Sequence, residues 1–393
     1  MLILLRTVLV LDWVIALSWT MRALDWRRML PLVPDLTRRE YPYPIPLPSL
    51  TVIVPARNEA ANIAATLRSL LASDRVVLQI IAIDDRSTDQ TGAIMEVVAQ
   101  SEGGAGGKTL QVLHVAELPS GWLGKTHAMA LGAQQATGEW LLFTDGDVLF
   151  HRDALRRALA YATDSRADHM VLLPTILMQS WGERMMIAFL EVLSIWAVRP
   201  WRVPDPGARR DSLGVGAFNM IRREVYDAMG GWDALRVEVL EDLSLGRRVK
   251  QSGYAQRVAL GVDMVKVRWA RGAFGVVDNL TKNLFAMFRF RPELVIGFAC
   301  GLSLFTLFPL LACLAGPAMW WPAGLMLIAL FLAYQQAGTY QHFSGVQMLL
   351  FPAATILLLY ALLRSTLLAL RRGGISWRGT FYALGDLRKG AGK

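Results

Sequence analysis

Three acidic segments follow one another along this chain: Ile81 to Asp89 (IAIDDRSTD), Phe143 to Val148 (FTDGDV) and Glu241 to Arg248 (EDLSLGRR). The first two close apolar runs that read as buried strands, so Asp84, Asp85, Asp145 and Asp147 are expected at the carboxyl edge of a parallel sheet, where open α/β folds bind ligands. Carboxylates gathered there repel one another unless donors or a cation join them. A divalent metal holding a nucleotide diphosphate would supply the cation, and a base or ribose would supply donors. Asp145 and Asp147 bracket Gly146, whose backbone freedom lets two carboxylates address one oxygen-seeking ion. Glu241 and Asp242 open a helix with Arg247 and Arg248 a turn and more behind them, an arrangement suited to a base aimed at a hydroxyl beside an anionic diphosphate. Each segment also has a plainer reading, as a solvated turn or as acids complementing a helix dipole.

Two further segments bear on the same edge. In Pro55 to Ala60 (PARNEA) the residues Pro55, Arg57 and Glu59 directly follow the first strand, where they either contact a ligand or cap the next helix. Gly121 to Met129 (GWLGKTHAM) is not a Walker loop, because Pro119 stands where the first glycine is required. Lys125 at a helix start can still meet a phosphate. His114 and His127 lack paired metal-ligand spacing and read as non-catalytic, and no G-x-S-x-G elbow occurs.

The elements that must hold these residues alternate. LTVIVP precedes a helix through Ala60 to Leu71, LQIIAID one from about Asp89, LQVLHV one from about Lys125, and WLLFTD one from about Arg152. That alternation predicts an α/β domain with a parallel sheet and right-handed crossovers. Before it, Pro31, Pro34, Pro42, Pro44, Pro46 and Pro48 predict an extended linker and a boundary near Pro48. No internal repeat is present, and the one low-complexity piece is Gly103 to Lys108.

With 393 residues, the chain has room for one large domain and an appendage, and its 54% apolar content is concentrated at the two ends. Leu2 to Trp19, Leu294 to Leu314, Met319 to Tyr334 and Val346 to Leu363 approach the roughly 20 residues of a bilayer crossing. No basic segment precedes the first run and no small-residue cleavage site follows it, so it reads as a retained anchor. Asp12 within it reads as a functional group inside the membrane or, the favoured reading, as a residue that faces polar partners or the interface. Arg22, Arg27, Arg28, Arg38 and Arg39 lie behind that run against Arg6 before it, which predicts a multi-pass inner (cytoplasmic) membrane protein whose central domain faces the cytoplasm. The net charge of +9 belongs to that asymmetry; no basic face with interleaved aromatics suggests nucleic acid. Cys300 and Cys313 read as small buried hydrophobes. Three spans after a cytoplasmic domain would leave the basic tail outside, so one run is expected to be re-entrant or interfacial, and Met319 to Tyr334 is the candidate. Trp181 to Trp201 and Val276 to Phe290 suit helices at headgroup level or, alternatively, ordinary core helices.

The ordered set PARNEA, DDRSTD, LPSGWLGK, TDGDV, GAFNMIRREVYDAMGGW, EDLSLGRR and VRWARG resembles the family 2 glycosyltransferases with a GT-A fold. Within them it is similar to the membrane-bound branch containing ceramide glucosyltransferases and hopanoid-associated or carotenoid glycosyltransferases. The likeness covers about Leu50 to Arg291. It implies a Rossmann-like GT-A domain (49–275) between an anchor (1–22) with its linker (23–48) and an interfacial helix (276–292), a membrane bundle (293–370) and a basic tail (371–393). It implies that Pro55, Arg57, Glu59, Asp84, Asp85, Lys125 and Asp145 bind a nucleotide-sugar, with Asp145 and Asp147 on Mg2+ or Mn2+. Asp242 would be the base that deprotonates a membrane-lipid hydroxyl, giving inversion at the sugar carbon. Glu241, Arg268, Trp269 and Arg271 would serve the diphosphate or the acceptor. Where many members have Gln-x-x-Arg-Trp, this chain has Val265, Lys266, Val267, Arg268 and Trp269. The missing glutamine counts against the alternative, a polysaccharide synthase. A transporter or membrane scaffold would instead concentrate its polar residues within the spans.

Overall fold

A computed structural model describes residues 2–104, 107–377 and 380–390; Ala105 and Gly106 of the glycine-rich loop and the last three residues of the tail lie outside the described residues. The chain divides into two units, 33–177 with 200–268 and 1–32 with 178–199 and 269–393.

The first unit is built on ten strands: β1 (Leu50–Ala56), β2 (Leu78–Asp85), β3 (Lys108–Val115), β4 (Trp140–Phe143), β5 (Val148–Phe150), β6 (His169–Leu173), β7 (Thr175–Ile176), β8 (Asn219–Arg222), β9 (Gln256–Leu260) and β10 (Val265–Val267). Seven form one sheet in the order β3-β2-β1-β4-β8-β6-β9, and β5-β10-β7 form a smaller one. Alternation along the strands sorts side chains to two faces. Val52, Val54, Ile80, Ala82 and Leu142 join one core, while Ile53, Ile81, Ile83, Leu141 and Phe143 join the other. Both faces are therefore covered, as a sheet with helical crossovers requires. The four expected helices follow their strands, at Ile63–Leu71, Thr91–Glu102, Gly124–Gln135 and Ala154–Asp164.

The sheet is not wholly parallel, contrary to the sequence expectation. β8 runs antiparallel to both β4 and β6. Hydrophobic alternation fixes which face a residue takes but carries no strand direction, so this reversal had no local signal. The order of strands turns at β1 and β4, which pair in parallel with Ile53 opposite Phe143. On the other side Ile53 meets Ile81 of β2. The carboxyl ends of β1, β2 and β4 thus lie level at a switch point, the crevice where such sheets take ligands.

The linker is less free than its prolines suggest. Leu36 donates its N–H to Leu260 O and Leu260 donates to Pro34 O, both at 2.8 Å, so the segment pairs along the edge strand β9. Leu36 and Tyr41 are buried in the core. The anchor helix also runs further than expected, from Leu2 to Met29, because the residues after Trp19 are good helix formers until Pro31.

The second unit is mostly helical. Leu2–Leu32, Pro317–Gln341 and Gly345–Arg372 are long and apolar enough to cross a membrane, and Pro292–Thr306 with Phe308–Ala315 form a pair bent by 48°. The break therefore falls in the run Leu294 to Leu314 and not in Met319 to Tyr334, nearly all of which lies inside a continuous 22-residue helix. Pro309 explains it, since it removes a backbone donor and crowds the preceding turn. Asp12 does not meet the polar partners expected for it: it is buried and neither oxygen has a hydrogen-bond partner among the described residues. Cys300 is exposed rather than buried. The two stretches with alternative readings become helices Trp181–Ala197 and Gly272–Met287. Their starts are joined by Glu183, whose carboxylate closes a capping box on Ser180 and accepts the Gly272 N–H at 2.8 Å. After the last long helix come a hairpin, β11 (Gly374–Trp377) with β12 (Thr380–Ala383), and the helix Leu384–Gly390.

Candidate active site

The turns after β1 and β2 form one side of the crevice. Asn58 and Arg86 both take positive φ, 57° each, and the turns are laced together. Asn58 N–H donates to Ser87 Oγ at 3.0 Å, Glu59 N–H to Thr91 Oγ1 at 2.8 Å, and Thr88 N–H to Asn58 Oδ1 at 2.8 Å. Pro55 and Ala56 end β1, both buried. Consecutive strand residues face opposite ways, and this separates the two adjacent aspartates. Asp85 is fully buried and accepts Arg86 Nε at 2.8 Å on Oδ1. Its Oδ2, the Arg86 Nη2, and the Nε and Nη1 of Arg57 are buried without hydrogen-bond partners among the described residues. Gly124 makes room for this pair, since a Cβ there would collide with Asp85 Oδ2 and Arg86 Nη2.

Asp84 is not brought into that group. Its Oδ1 accepts the Ser87 N–H at 3.1 Å, and its Oδ2 meets His114 Nδ1 at 3.3 Å. His114 Nε2 lies 3.0 Å from Glu96 Oε1, and its pKa is raised chiefly by that contact. His127 lies near Asp85 and Arg86, and burial lowers its pKa.

The other side of the crevice is charged. Lys125, at the start of the helix Gly124–Gln135, places Nζ 2.5 Å from Asp145 Oδ1 and 2.5 Å from Glu241 Oε1. Two segments far apart in sequence are thus joined through one ammonium. Asp147 is pushed up to about 7 by burial, then by the charges of Asp145 and Glu59. Asp242 is pushed up to about 7 by burial, then by Glu241, with Lys125 opposing. Each carboxyl resists ionising because others stand nearby in a poorly hydrated place.

Asp242 opens the helix Glu241–Gln251. Its Oδ1 accepts the Leu243 N–H at 2.8 Å and its Oδ2 accepts the Gly216 N–H at 2.9 Å. Thr144, next to Asp145, ties the end of β4 to the same loop through Ala217 O at 2.8 Å. A small recess lies here, lined by Lys125, Asp242, Asn219, Trp232, Gly216 and their neighbours. Gly216, Asn219 and Trp232 carried no assigned role in the sequence reading, although GAFNM and GGW flagged their segments.

Glu59, Lys125, Asp145, Asp147, Glu241 and Asp242 are therefore brought together, and Arg57 and Asp85 stand on the adjoining edge. Arg268 closes this unit with its Nε buried, whereas Trp269 and Arg271 belong to the helical unit. Among the described residues no three acidic, histidine or cysteine side chains are arranged to hold a metal unaided. A magnesium-like ion takes one or two carboxylates and completes its shell with substrate phosphate and water. Asp145 and Asp147 fit that role, being hard oxygen donors; burial and the neighbouring Asp145 charge hold Asp147 above the usual carboxylate range.

Residues 51–230 match the family described as "Glycosyl transferase family 2". Over 348 residues the chain is 25% identical to 4,4'-diaponeurosporenoate glycosyltransferase of Staphylococcus aureus (strain USA300), covering 86% of this chain and 88% of that one. The MRSA252 counterpart is 27% identical over 240 residues, 60% of each chain. In structure the chain is similar to the mannosyltransferase PcManGT from Pyrobaculum calidifontis, solved with GDP-Man and Mn2+. That likeness has a TM-score of 0.50 at 19% identity and covers 88% of this chain and 99% of the other. It is a likeness of fold.

Proposed function

Starting from a glycosyltransferase whose catalytic domain belongs to glycosyl transferase family 2 and has the GT-A fold, we propose that it transfers a sugar, with inversion, from a UDP-linked donor to a hydroxyl of a membrane lipid. The observation that carries this reading is the junction of Lys125, Asp145 and Glu241 beside Asp242 at the switch-point edge. Cationic and carboxylate groups meet there at the opening of a small pocket, with one carboxylate held by backbone N–H groups and close to its own titration point.

The nucleoside lies against the turns after β1 and β2. Pro55 forms its floor, and Arg57, Glu59 and Asp85 contact the uridine, giving the buried unpartnered atoms of Arg57 and Asp85 the hydrogen bonds they need. Asp145 and Asp147 would hold the Mg2+ or Mn2+, which when bound neutralises charge on the leaving diphosphate. Lys125 adds a second positive charge on the same side and leaves its two carboxylates to do so. Asp242 accepts the proton of the acceptor hydroxyl as that oxygen bonds to the anomeric carbon. The bond from that carbon to the diphosphate breaks on the opposite side, and its electron pair leaves with the nucleoside diphosphate. One carboxylate suffices because no covalent sugar intermediate forms.

A lipid acceptor is supported by three helices suited to crossing a membrane and by a relative named for diaponeurosporenoate, in line with the carotenoid branch that the motifs resemble. With the bent pair Pro292–Ala315 re-entrant, three crossings leave both the catalytic domain and the basic tail in the cytoplasm, as the arginine distribution requires. Protease digestion of a C-terminal tag should then succeed in inverted membrane vesicles and fail in right-side-out ones. The activity itself is tested by giving membranes each common sugar nucleotide with a total lipid extract, with and without EDTA, and separating the products. A glycolipid that disappears with EDTA supports the reading. A long insoluble polymer would replace it with a polysaccharide synthase.

A further inference from the structure

His169 is buried completely at the start of β6, where β8 and β9 flank it. Its Nε2 donates to Asn219 Oδ1 and its Nδ1 accepts from Gln256 Nε2 at 3.0 Å. Both ring nitrogens are therefore used by a neutral imidazole with a defined tautomer, and burial depresses its pKa to about 4. A histidine held neutral in a core is ordinarily a structural residue. Its two partners lead elsewhere.

Asn219 donates Nδ2 to the backbone carbonyl of Asp242 at 3.3 Å. Gln256 grips Leu213 twice, accepting its N–H at 3.1 Å and donating to its carbonyl at 2.8 Å, and reaches Gly246 O at 3.2 Å. Leu213 begins the short loop whose Gly216 N–H holds Asp242 Oδ2. That loop packs against the helix so closely that a Cβ on Gly214 would overlap the Asp242 carbonyl. One arm from His169 thus ends on the backbone of Asp242 and the other on the loop that orients its carboxylate.

We propose that His169 is a positioning residue for transfer, fixing through Asn219 and through Gln256 with the Leu213–Gly216 loop the orientation of the Asp242 carboxylate. This rests on the reading of Asp242 as the base. The imidazole touches no substrate. It fixes which way the Asn219 amide faces, because its Nε2–H demands the carbonyl end and leaves the amide N–H groups for Asp242. A base displaced by an ångström or less loses on the order of 10- to 100-fold in rate.

The test compares His169→Leu, His169→Gln, Asn219→Ala and Asp242→Asn in full-length enzyme, measuring kcat, donor KM, binding of UDP and of GDP by calorimetry, and thermal unfolding. Glutamine can donate to Asn219 while accepting from Gln256, and leucine can do neither. The expected result is a fall in kcat of at least tenfold in His169→Leu and Asn219→Ala, with donor KM and nucleotide affinity within twofold of the parent, and recovery of most of kcat in His169→Gln. Parental kcat in His169→Leu would overturn the proposal. So would loss of nucleotide binding together with kcat in both His169→Leu and Asn219→Ala, since that marks a general structural role. Parental turnover in Asp242→Asn would instead remove the base on which the inference rests, whatever the His169 variants do.

Discussion

The two sides of the crevice meet their ligand in opposite conditions. On the nucleoside side, Arg57, Asp85 and Arg86 keep buried polar atoms without partners among the described residues, held in place by turns that satisfy their own backbone. On the transfer side, a single Lys125 ammonium is shared between Asp145 and Glu241, and Asp147 and Asp242 resist ionising. The first side lacks hydrogen bonds and the second lacks positive charge. The proposed nucleotide-sugar with a divalent ion would supply both, so loss of a residue should weaken binding on one side and turnover on the other.

The largest effect is expected on the transfer side at its base. Asp242→Asn keeps the size of the side chain and an oxygen for one of the two backbone N–H groups, of Gly216 or Leu243, but removes the proton acceptor, so kcat should fall by roughly 10²- to 10⁴-fold with nucleotide binding retained. Single-turnover kinetics with radiolabelled donor would show it, and retained turnover would take Asp242 out of the base role. Next comes Lys125→Met. Removing one partner of a buried ion pair leaves uncompensated charge, typically at about 3–5 kcal/mol, and here it strands Asp145 and Glu241 together. Chemical denaturation should register lower stability and the assay a loss of turnover, which added divalent metal partly restores. An unchanged denaturation midpoint would mean that the ammonium is not needed to neutralise the two acids.

On the nucleoside side, Asp85→Asn should raise donor KM by roughly ten- to a hundredfold with kcat little changed, since a lost hydrogen bond to a charged group is worth about 1.5–3 kcal/mol. A fall in kcat without a change in KM would erase the distinction between the two sides. The pH profile sharpens it further. As the proposed base Asp242 would work only when ionised, and its carboxyl is pushed up to about 7, so kcat/KM should rise with pH through about 7 and level off above. Flat kcat/KM between about pH 5.5 and 8 would contradict a base of this kind, whereas uridine affinity on the other side should change far less over that range.

What could be read in the sequence follows the range over which each signal acts. Alternation in TVIV and IIAI marks two-faced strands, and an acidic or charged end on each marks the edge, because side-chain period and strand termini are local. The gathering of Asp85, Asp145 and Asp147 at one edge was legible for that reason. The reversal of β8 was not, nor was the role of His169, whose partners lie 50 and 87 residues away and give no spacing to recognise. The bend at Pro309 had its signal in plain view but was outweighed by the length of the apolar run around it. Lys125 suits a phosphate by its place at a helix start, which is a local signal. Its two carboxylate partners come from segments that only the fold brings near.

The smallest effect should come from the residue beside Asp85. Asp84 and Asp85 are adjacent and identical, and the sequence offers both as nucleotide ligands. Strand geometry turns them apart, so that Asp84 spends its oxygens on the Ser87 N–H and on His114, itself half-exposed and next to Glu96. Asp84→Asn retains an oxygen for the Ser87 N–H and weakens only the contact to His114. Donor KM and kcat should both stay within about twofold, as surface hydrogen bonds of this kind contribute on the order of 1 kcal/mol or less to stability. The comparison with Asp85→Asn in one assay is the sharpest available test of the site's outline. If Asp84→Asn raises donor KM as much as Asp85→Asn does, the nucleoside reaches across the strand end, and the edge of the site lies one residue further out than the geometry of β2 places it.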